Sequence, residues 1–570
     1  MLDLKLTGGM VADGTGAPLQ RADVGVRDGR VVALGRVDEP ARRTLDASDL
    51  VVAPGFIDVH THYDAQAFWD STLSPSPLHG VTTVVGGNCG FSIAPLSPED
   101  GDYLMRMLAR VEGMPLEALQ QGVPWDWSTT AEYLDRLDGT LTPNAGFLVG
   151  HSAVRRAVMH DDAVGHAANP GQLAAMQQLL HDGLAAGGLG FSSTWSRSHN
   201  DHNGDPVPSR HATREEMLAL CSVVGEHPGT TLEFIPGVAP FDDDLFELMG
   251  VMSRTADRPI NWNVLQVYGR NADAVDRQLA GSDLAAEGGG RVVALTLPDT
   301  LRLWLNFKSG FILDILNGWE RLMALPDARK LAELSDPTGR AEMDRLAQET
   351  DGPSRSIAHW AAYRVEESSV PGAKGRMVGE LATEQRRAAW DVLADLVVAD
   401  ELRTVISKPD PGQDEASWEK RVSVWRDPRS LVGASDAGAH LDMIDSFSYA
   451  TTLIARTVRE RNLLAIEEAV QLLTDAPARL YGLRDRGRVA VGAHADLVVL
   501  DPATVGPGPI HTRYDLPGGA GRIYGGAEGV ANVFVAGAEV VAHGEFTDAR
   551  PGRVLRSGRD TETVSVGTPG

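Results

Sequence analysis

Two cysteines in 570 residues, Cys89 and Cys221, cannot build a disulfide framework, and such sparse use of cysteine suits a reducing compartment. Positive charge is also short: 52 Lys and Arg stand against 78 Asp and Glu, for a net charge of −26. Affinity for phosphate backbones and anionic lipid comes mostly from clustered Lys and Arg. The balance here therefore disfavours nucleic acid and membrane, and makes a small molecule the expected partner. No stretch approaches roughly 18 uninterrupted apolar residues, and Met1 to Gly8 lack the basic flank and apolar run of a secretory signal. A cytoplasmic protein is expected. No internal repeat is evident.

What is present is the material of a large soluble core: 43% apolar residues, 23% charged residues and 61 glycines. The length is about four times a domain prior of roughly 150 residues, so two or more folding units, or one large barrel with additions, are expected.

Short alternating runs open the chain, Leu4 to Leu6, Val24 to Val26 and Val31 to Leu34, with Asp28-Gly29 as a hairpin turn. The same texture returns at Ala495 to Leu500 and at Val533 to Val541, the latter broken by an Ala-Gly turn. Two strand-rich ends predict one β domain built from both termini. Between them, apolar runs alternate with amphipathic helices, the pattern of a parallel sheet. Eight strands are expected: 52–59, 81–85, 146–149, 189–192, 231–235, 259–264, 291–297 and 431–435. The helix from Pro170 to Ala186 illustrates the crossovers, with Asn169 as cap, Pro170 in the first turn, and Leu173, Met176, Leu179, Leu180 and Leu184 at 3/4 spacing. The predicted fold is α/β: a (β/α)8 TIM-type barrel with insertions plus a small β-sandwich domain from both chain ends. The expected division is β domain 1–53 and 484–547, barrel 54–483 with a helix-rich insertion around 268–429, and a loosely attached C-terminal arm, 548–570.

The strongest chemical signal is Ala53-Pro54-Gly55-Phe56-Ile57-Asp58-Val59-His60-Thr61-His62. Residues i and i+2 of a strand share a face, so His60 and His62 project two imidazoles into the mouth of the barrel, a pairing suited to a divalent transition metal. Cys89 follows the second strand between glycines that permit an irregular backbone; it reads as a thiolate ligand or as an inert buried thiol. Asp436, after the apolar run Leu431 to Ser435, reads as a carboxylate facing the metal or as a helix cap. His440 either reaches over the site or faces solvent, and His151 either lines the site or makes structural hydrogen bonds. Cys221, inside a helical pattern, reads as core.

These residues resemble the amidohydrolase superfamily, in its N-acyl-D-amino-acid deacylase (D-aminoacylase-like) branch. The resemblance rests on PGFIDVHTHYD at 54–64, HGVTTVVGGNCGFSIAP at 79–95, VGHSAVR at 149–155, GLGFSS at 188–193, ASDAGAH at 434–440 and TDAPARLYGLRDRGRVAVGAHADLVVLDP at 474–502. It implies a site at the C-terminal ends of the barrel strands, where one or two metal ions activate water against amide-like bonds. It further implies that Cys89 binds metal in place of a carboxylated lysine, and that Asp436 binds metal and shuttles the proton from water to the leaving amine. One departure is evident. Related deacylases supply histidines from the fifth and sixth strands, whereas this chain has Thr231-Leu232-Glu233-Phe234-Ile235 and Asn261-Trp262-Asn263-Val264-Leu265-Gln266. One zinc ion is expected and a second stays in doubt, with Glu233, or His199, His202 and His211 of the loop 196–212, as substitutes.

The expected function is deacylation of an N-acyl amino acid, D-configured by resemblance, with Asp436 as proton shuttle. Two other readings stay open: a cyclic amide or imide hydrolase of the same superfamily, and a metal-free, non-catalytic binding scaffold. A homo-oligomer is compatible with this sequence.

Overall fold

The computed structural model describes residues 1–237, 240–309, 312–409 and 412–567. Eight parallel strands form the central barrel, at 56–58, 81–86, 144–150, 190–194, 231–235, 260–265, 292–296 and 430–432. The third runs through Leu148, whose N–H donates to Gly86, while Leu189 donates to Phe147 on the other side. Closure comes just past the strand ends. Asp436 N–H donates to His60 O at 3.0 Å, and Thr61 bridges Ala437 in parallel register. The barrel strands are buried apart from the partly exposed Asn263, Val264 and Ser430, as a parallel sheet covered on its outer face by helices requires. The crossover helix Pro170–Ala185 is capped as its sequence indicates, with Asn169 Oδ1 accepting from Gly171 and Gln172.

Both chain ends enter one nine-stranded sheet. The strand Val51–Pro54 pairs with Leu497–Leu500, which continues through Val530–Val535 to Ala538–Ala542. Leu2–Val11 has Gln20–Arg27 on one side, while its other side is divided between Ala41–Asp46 and Val51–Pro54. That division lets the sheet fold over a small core in which Leu4, Val24 and Val31 meet Leu497 and Phe534. The two hairpins turn at Asp28-Gly29 and Ala536-Gly537, all four residues at positive φ.

Three expectations are corrected. The predicted strand 52–59 is two strands: Gly55, whose N–H donates to Asp496, separates a β-domain strand from a barrel strand, and the uninterrupted apolar run conceals the change of sheet. The insertion begins after Thr296 and not near 268, because Ala272–Glu287 is an ordinary crossover helix between the sixth and seventh strands. The inserted segment builds its own sheet from Trp304–Leu305, Arg364–Glu367 and Val405–Ser407, over a core containing Trp319, Trp360 and Trp390. The arm after Asp548 is not loose. Val554 and Leu555 are fully buried, and the backbone pairs with Leu141, Ala145 and Gly482. Its polar composition concealed this because the attachment is largely main-chain.

Candidate metal centre

The first strand ends at Asp58, and the backbone beyond it, bending at His60, carries His60 and His62 into the barrel mouth, both buried. Cys89 lies on a single turn, Asn88–Gly90, after the second strand, with φ of 56° between Gly87 at 75° and Gly90 at 76°. A side chain at 87 is excluded, since a Cβ there would lie 2.3 Å from Leu148 O. Asp64 Oδ2 accepts from Gly87 N–H at 2.9 Å and Glu233 Oε2 from Cys89 N–H at 3.0 Å, so carboxylates hold the turn at both positions. The result is a thiol aimed at the histidines: Cys89 Sγ is 3.5 Å from His60 Nε2 and 3.9 Å from His62 Nε2.

Asp436, just past the eighth strand at φ 54°, completes the group. Its Oδ1 lies 3.1 Å from His60 Nε2 and 3.5 Å from His62 Nε2, and accepts from Asn263 Nδ2 at 3.2 Å. Zinc bonds of about 2.0–2.1 Å to nitrogen and 2.3 Å to sulfur place tetrahedral ligand atoms about 3.3–3.6 Å apart. The separations here, 3.1 to 3.9 Å, bracket that range, and the two nitrogens and the sulfur lie within 4.8 Å of one another. The donor set fits a divalent ion.

The electrostatics agree. Burial pushes the Cys89 thiol well up, and Glu233, Glu112 and Asp436 push it further. Burial also raises Glu233 well above the carboxylate range and Glu112 to about 8. His62 is pushed down by burial, but Glu112, Asp436 and Asp64 outweigh this and lift it to about 9. For Asp436 the hydrogen bonds and charges of both histidines overcome burial and hold the carboxyl well below its ordinary range. Acidic groups thus crowd a buried point, a field that calls for a cation.

The other sequence candidates divide. His151 is fully buried, Nδ1 at 2.8 Å from Ser193 Oγ and Nε2 at 2.8 Å from Glu216 Oε1, with Arg155 also bound to Glu216. The order Ser, His, Glu has the form of a nucleophilic triad, yet Ser193 is sealed in the core against Met217, so these are structural hydrogen bonds. His440 sits on a turn over the site at φ 45°, its N–H donating to Glu112 O at 2.5 Å, and burial pushes it to about 4. Of the loop histidines, His199 reaches the cavity, with Nδ1 2.8 Å from Thr194 Oγ1. His202 packs on Tyr103 and His211 faces Pro206 O. Cys221 lies in the core of the helix Arg214–Gly225. Cys89, Asp436, His199, Asn263, Val264 and Gln266 help line a cavity of about 400 Å³.

Residues 43–541 match the family model described as the amidohydrolase family. The chain belongs to that family. A D-aminoacylase of Alcaligenes xylosoxydans xylosoxydans is 28% identical over 565 residues, covering 97% of each chain. An uncharacterized protein of Mycobacterium tuberculosis is 32% identical over 546 residues, 88% of this chain and 84% of its own. Among solved structures, the N-acyl-D-glutamate deacylase of Bordetella bronchiseptica, complexed with zinc and a phosphonate mimic of the tetrahedral intermediate, superposes with a TM-score of 0.66. It is 28% identical and covers 98% of this chain and 100% of that one.

Three residues of this amidohydrolase's centre escaped sequence reasoning. Glu112 Oε1 lies 3.7 Å from His62 Nδ1, Asn263 holds Asp436, and Asp64 holds the cysteine turn. Asp64 alone had a local signal, since it closes the run His60-Thr61-His62-Tyr63-Asp64.

Proposed function

We propose that this chain hydrolyses a linear amide, an N-acyl amino acid of D configuration, to a carboxylate and a free amine, with one zinc ion as cofactor. The convergence of His60, His62, Cys89 and Asp436 on one buried point carries the reading. These four residues would hold the ion. Bound there, a divalent ion supplies Lewis-acid polarisation of the amide carbonyl and brings the pKa of water to about 7.

The rest is the work of the chain's own side chains. Asp436 brings a carboxylate to this point, the group able to take a proton from the attacking water. Its Oδ1 is engaged by His60, His62 and Asn263, which leaves Oδ2 for the transfer. The water oxygen bonds to the acyl carbon, the carbon–nitrogen bond breaks, and the proton held by Asp436 passes to the departing nitrogen. Glu112, beside Nδ1 of His62, orients that imidazole. Asp64 and Glu233 fix the cysteine turn. Ile235, Val264 and Leu265, with the carboxamides of Asn263 and Gln266, suit an uncharged side chain on the amino acid. The two free, buried thiols suit a reducing compartment, and the cytoplasm is part of the proposal.

The test is amine release from a panel of N-acyl-D- and N-acyl-L-amino acids, using protein purified without chelator and analysed for metal. Turnover of D substrates with zinc bound is expected. Ring opening of cyclic imides without release of amine from any linear substrate would overturn the reading.

A further inference from the structure

A second cavity, of about 890 Å³, lies between the inserted segment, the loops around the last barrel strand and residues 507–510. Among the described residues it shares no lining side chain with the metal-centre cavity. Its size suits a small organic molecule. Its charge is opposite to that of the protein as a whole. Arg302, Arg364, Lys374, Lys408, Arg456 and Arg461 line it, against the carboxylates of Asp299, Glu366 and Asp445. Glu460, from outside the lining, also binds Arg456 and Arg461, and among the described residues two positive charges remain in excess on a chain of −26.

The internal pairing shows where that excess lies. Arg302 and Arg364 converge on one oxygen, Glu366 Oε1, at 3.0 and 2.9 Å, so two guanidiniums share a single carboxylate. Lys374 and Lys408 have no carboxylate partner among the described residues. Lys408 is half-buried, lies 4.8 Å from the centre of the Tyr363 ring and donates to Ser356 O, and burial lowers its pKa. Half-burying a lysine beside no anion among the described residues is costly unless an anion arrives. Apolar surface lies alongside: Trp304 stacks beneath Arg302 at 4.2 Å, and Tyr449, Pro507 and Ile510 complete the wall.

We propose that this cleft binds a small organic polyanion, two or more carboxylate or phosphate groups on a short carbon skeleton. The anionic groups meet Lys374, Lys408 and the Arg302–Arg364 pair, and the skeleton lies against Trp304 and Ile510. Low-dielectric walls lined by one sign of charge focus the field and raise the local concentration of such an anion. Ser446 on its wall donates from its hydroxyl to the carbonyl of Ser435, next to Asp436, so the cleft neighbours the metal centre without sharing any of its ligands.

Calorimetric titration of the metal-loaded protein with tricarballylate and with glycerol 1,3-bisphosphate tests the proposal and separates the two ligand sources. Saturable, one-to-one binding of at least one probe is expected, weakening with added salt and falling about tenfold for each lysine removed in Lys374→Ala and Lys408→Ala. His60→Asn should leave it unchanged. Should Lys408→Ala fail to fold, Lys374→Glu alone is expected to weaken binding. Absence of saturable binding by either probe, indifference to both lysine substitutions, or loss of binding in His60→Asn would overturn the proposal, the last by placing the anion at the metal centre.

Discussion

The Ser435 hydroxyl donates a hydrogen bond of 2.6 Å to Asp58 Oδ2, joining residues 377 positions apart in the chain. Asp58 ends the first barrel strand and Ser435 follows the last, and both are fully buried. Two positions on from Asp58 stands His60, and directly after Ser435 stands Asp436. The pair therefore closes the barrel at the point where ligands from its two ends must meet. Ser435→Ala leaves Asp58 buried without this partner and loosens the spacing of His60 and Asp436. Chelator competition is expected to show metal affinity reduced about 10- to 100-fold, the usual effect of losing a group that orients ligands. Unchanged affinity would make the pair a matter of barrel stability alone.

Gly87 is the position at which backbone freedom matters most. With φ of 75° and Leu148 O at 2.3 Å from any added Cβ, Gly87→Ala must shift the turn that aims Cys89. A left-handed non-glycine residue costs about 1–3 kcal/mol, and the clash adds to it. Denaturant unfolding should show that loss, and metal analysis a depleted centre. Wild-type metal content in Gly87→Ala would show that the cysteine is aimed by something other than this turn.

Acid should weaken the join between barrel and β domain at His79. This ring is fully buried, Nε2 donating to Gly525 O at 3.2 Å and Nδ1 2.7 Å from Thr451 Oγ1, and burial lowers its pKa to about 4 from the ordinary 6.5. Between those values the unfolded chain takes up the proton and the folded one does not. The stability contributed by the neutral ring is therefore complete above about 6.5 and is lost as pH falls towards 4, by at most about 3 kcal/mol. Denaturant midpoints measured across that range should fall, and fall less steeply in His79→Gln. Equal slopes would assign the acid sensitivity to other groups.

Metal content is expected to be about one tightly held ion per chain, because the fifth and sixth strands, Thr231–Ile235 and Ile260–Leu265, bring Glu233 and Asn263 to the centre and contain no histidine. Asn263 is engaged with Asp436, while Glu233 Oε1 is buried without a hydrogen-bond partner. Elemental analysis after exhaustive dialysis measures this. Two firmly retained ions would mean that Glu233 supplies a second position.

Much of the centre was legible because its signals are local. His60 and His62 are two residues apart just past a strand end, Cys89 is bracketed by glycines, and Asp436 directly follows an apolar run. The eight strands were legible for the same reason, as apolar runs between turn signals. What escaped depends on distant parts of the chain meeting. Glu112 comes from the end of a helix and Asn263 from a strand, and nothing in their flanking residues marks them, while Asp58 stands inside the histidine motif but meets a partner, Ser435, that only the fold brings near. Gly55 hid a change of sheet inside one apolar run, since both halves are buried and composition does not record which neighbour a strand pairs with. The C-terminal arm misled in the opposite sense, because polar residues can be anchored by main-chain hydrogen bonds that leave no mark on composition.

The central claim is that Asp436 moves the proton while the histidines and the cysteine hold the ion. Asp436→Asn keeps the shape and one oxygen but removes the charge. The decisive measurement is turnover of the best substrate by this variant, shown to be folded and metal-loaded. A fall on the order of 10² to 10⁴ is predicted, the usual contribution of general acid–base catalysis, with His60→Asn losing metal and activity together. Turnover near the wild-type rate in metal-loaded Asp436→Asn would contradict the account and move the search for the base to His440 and Glu233.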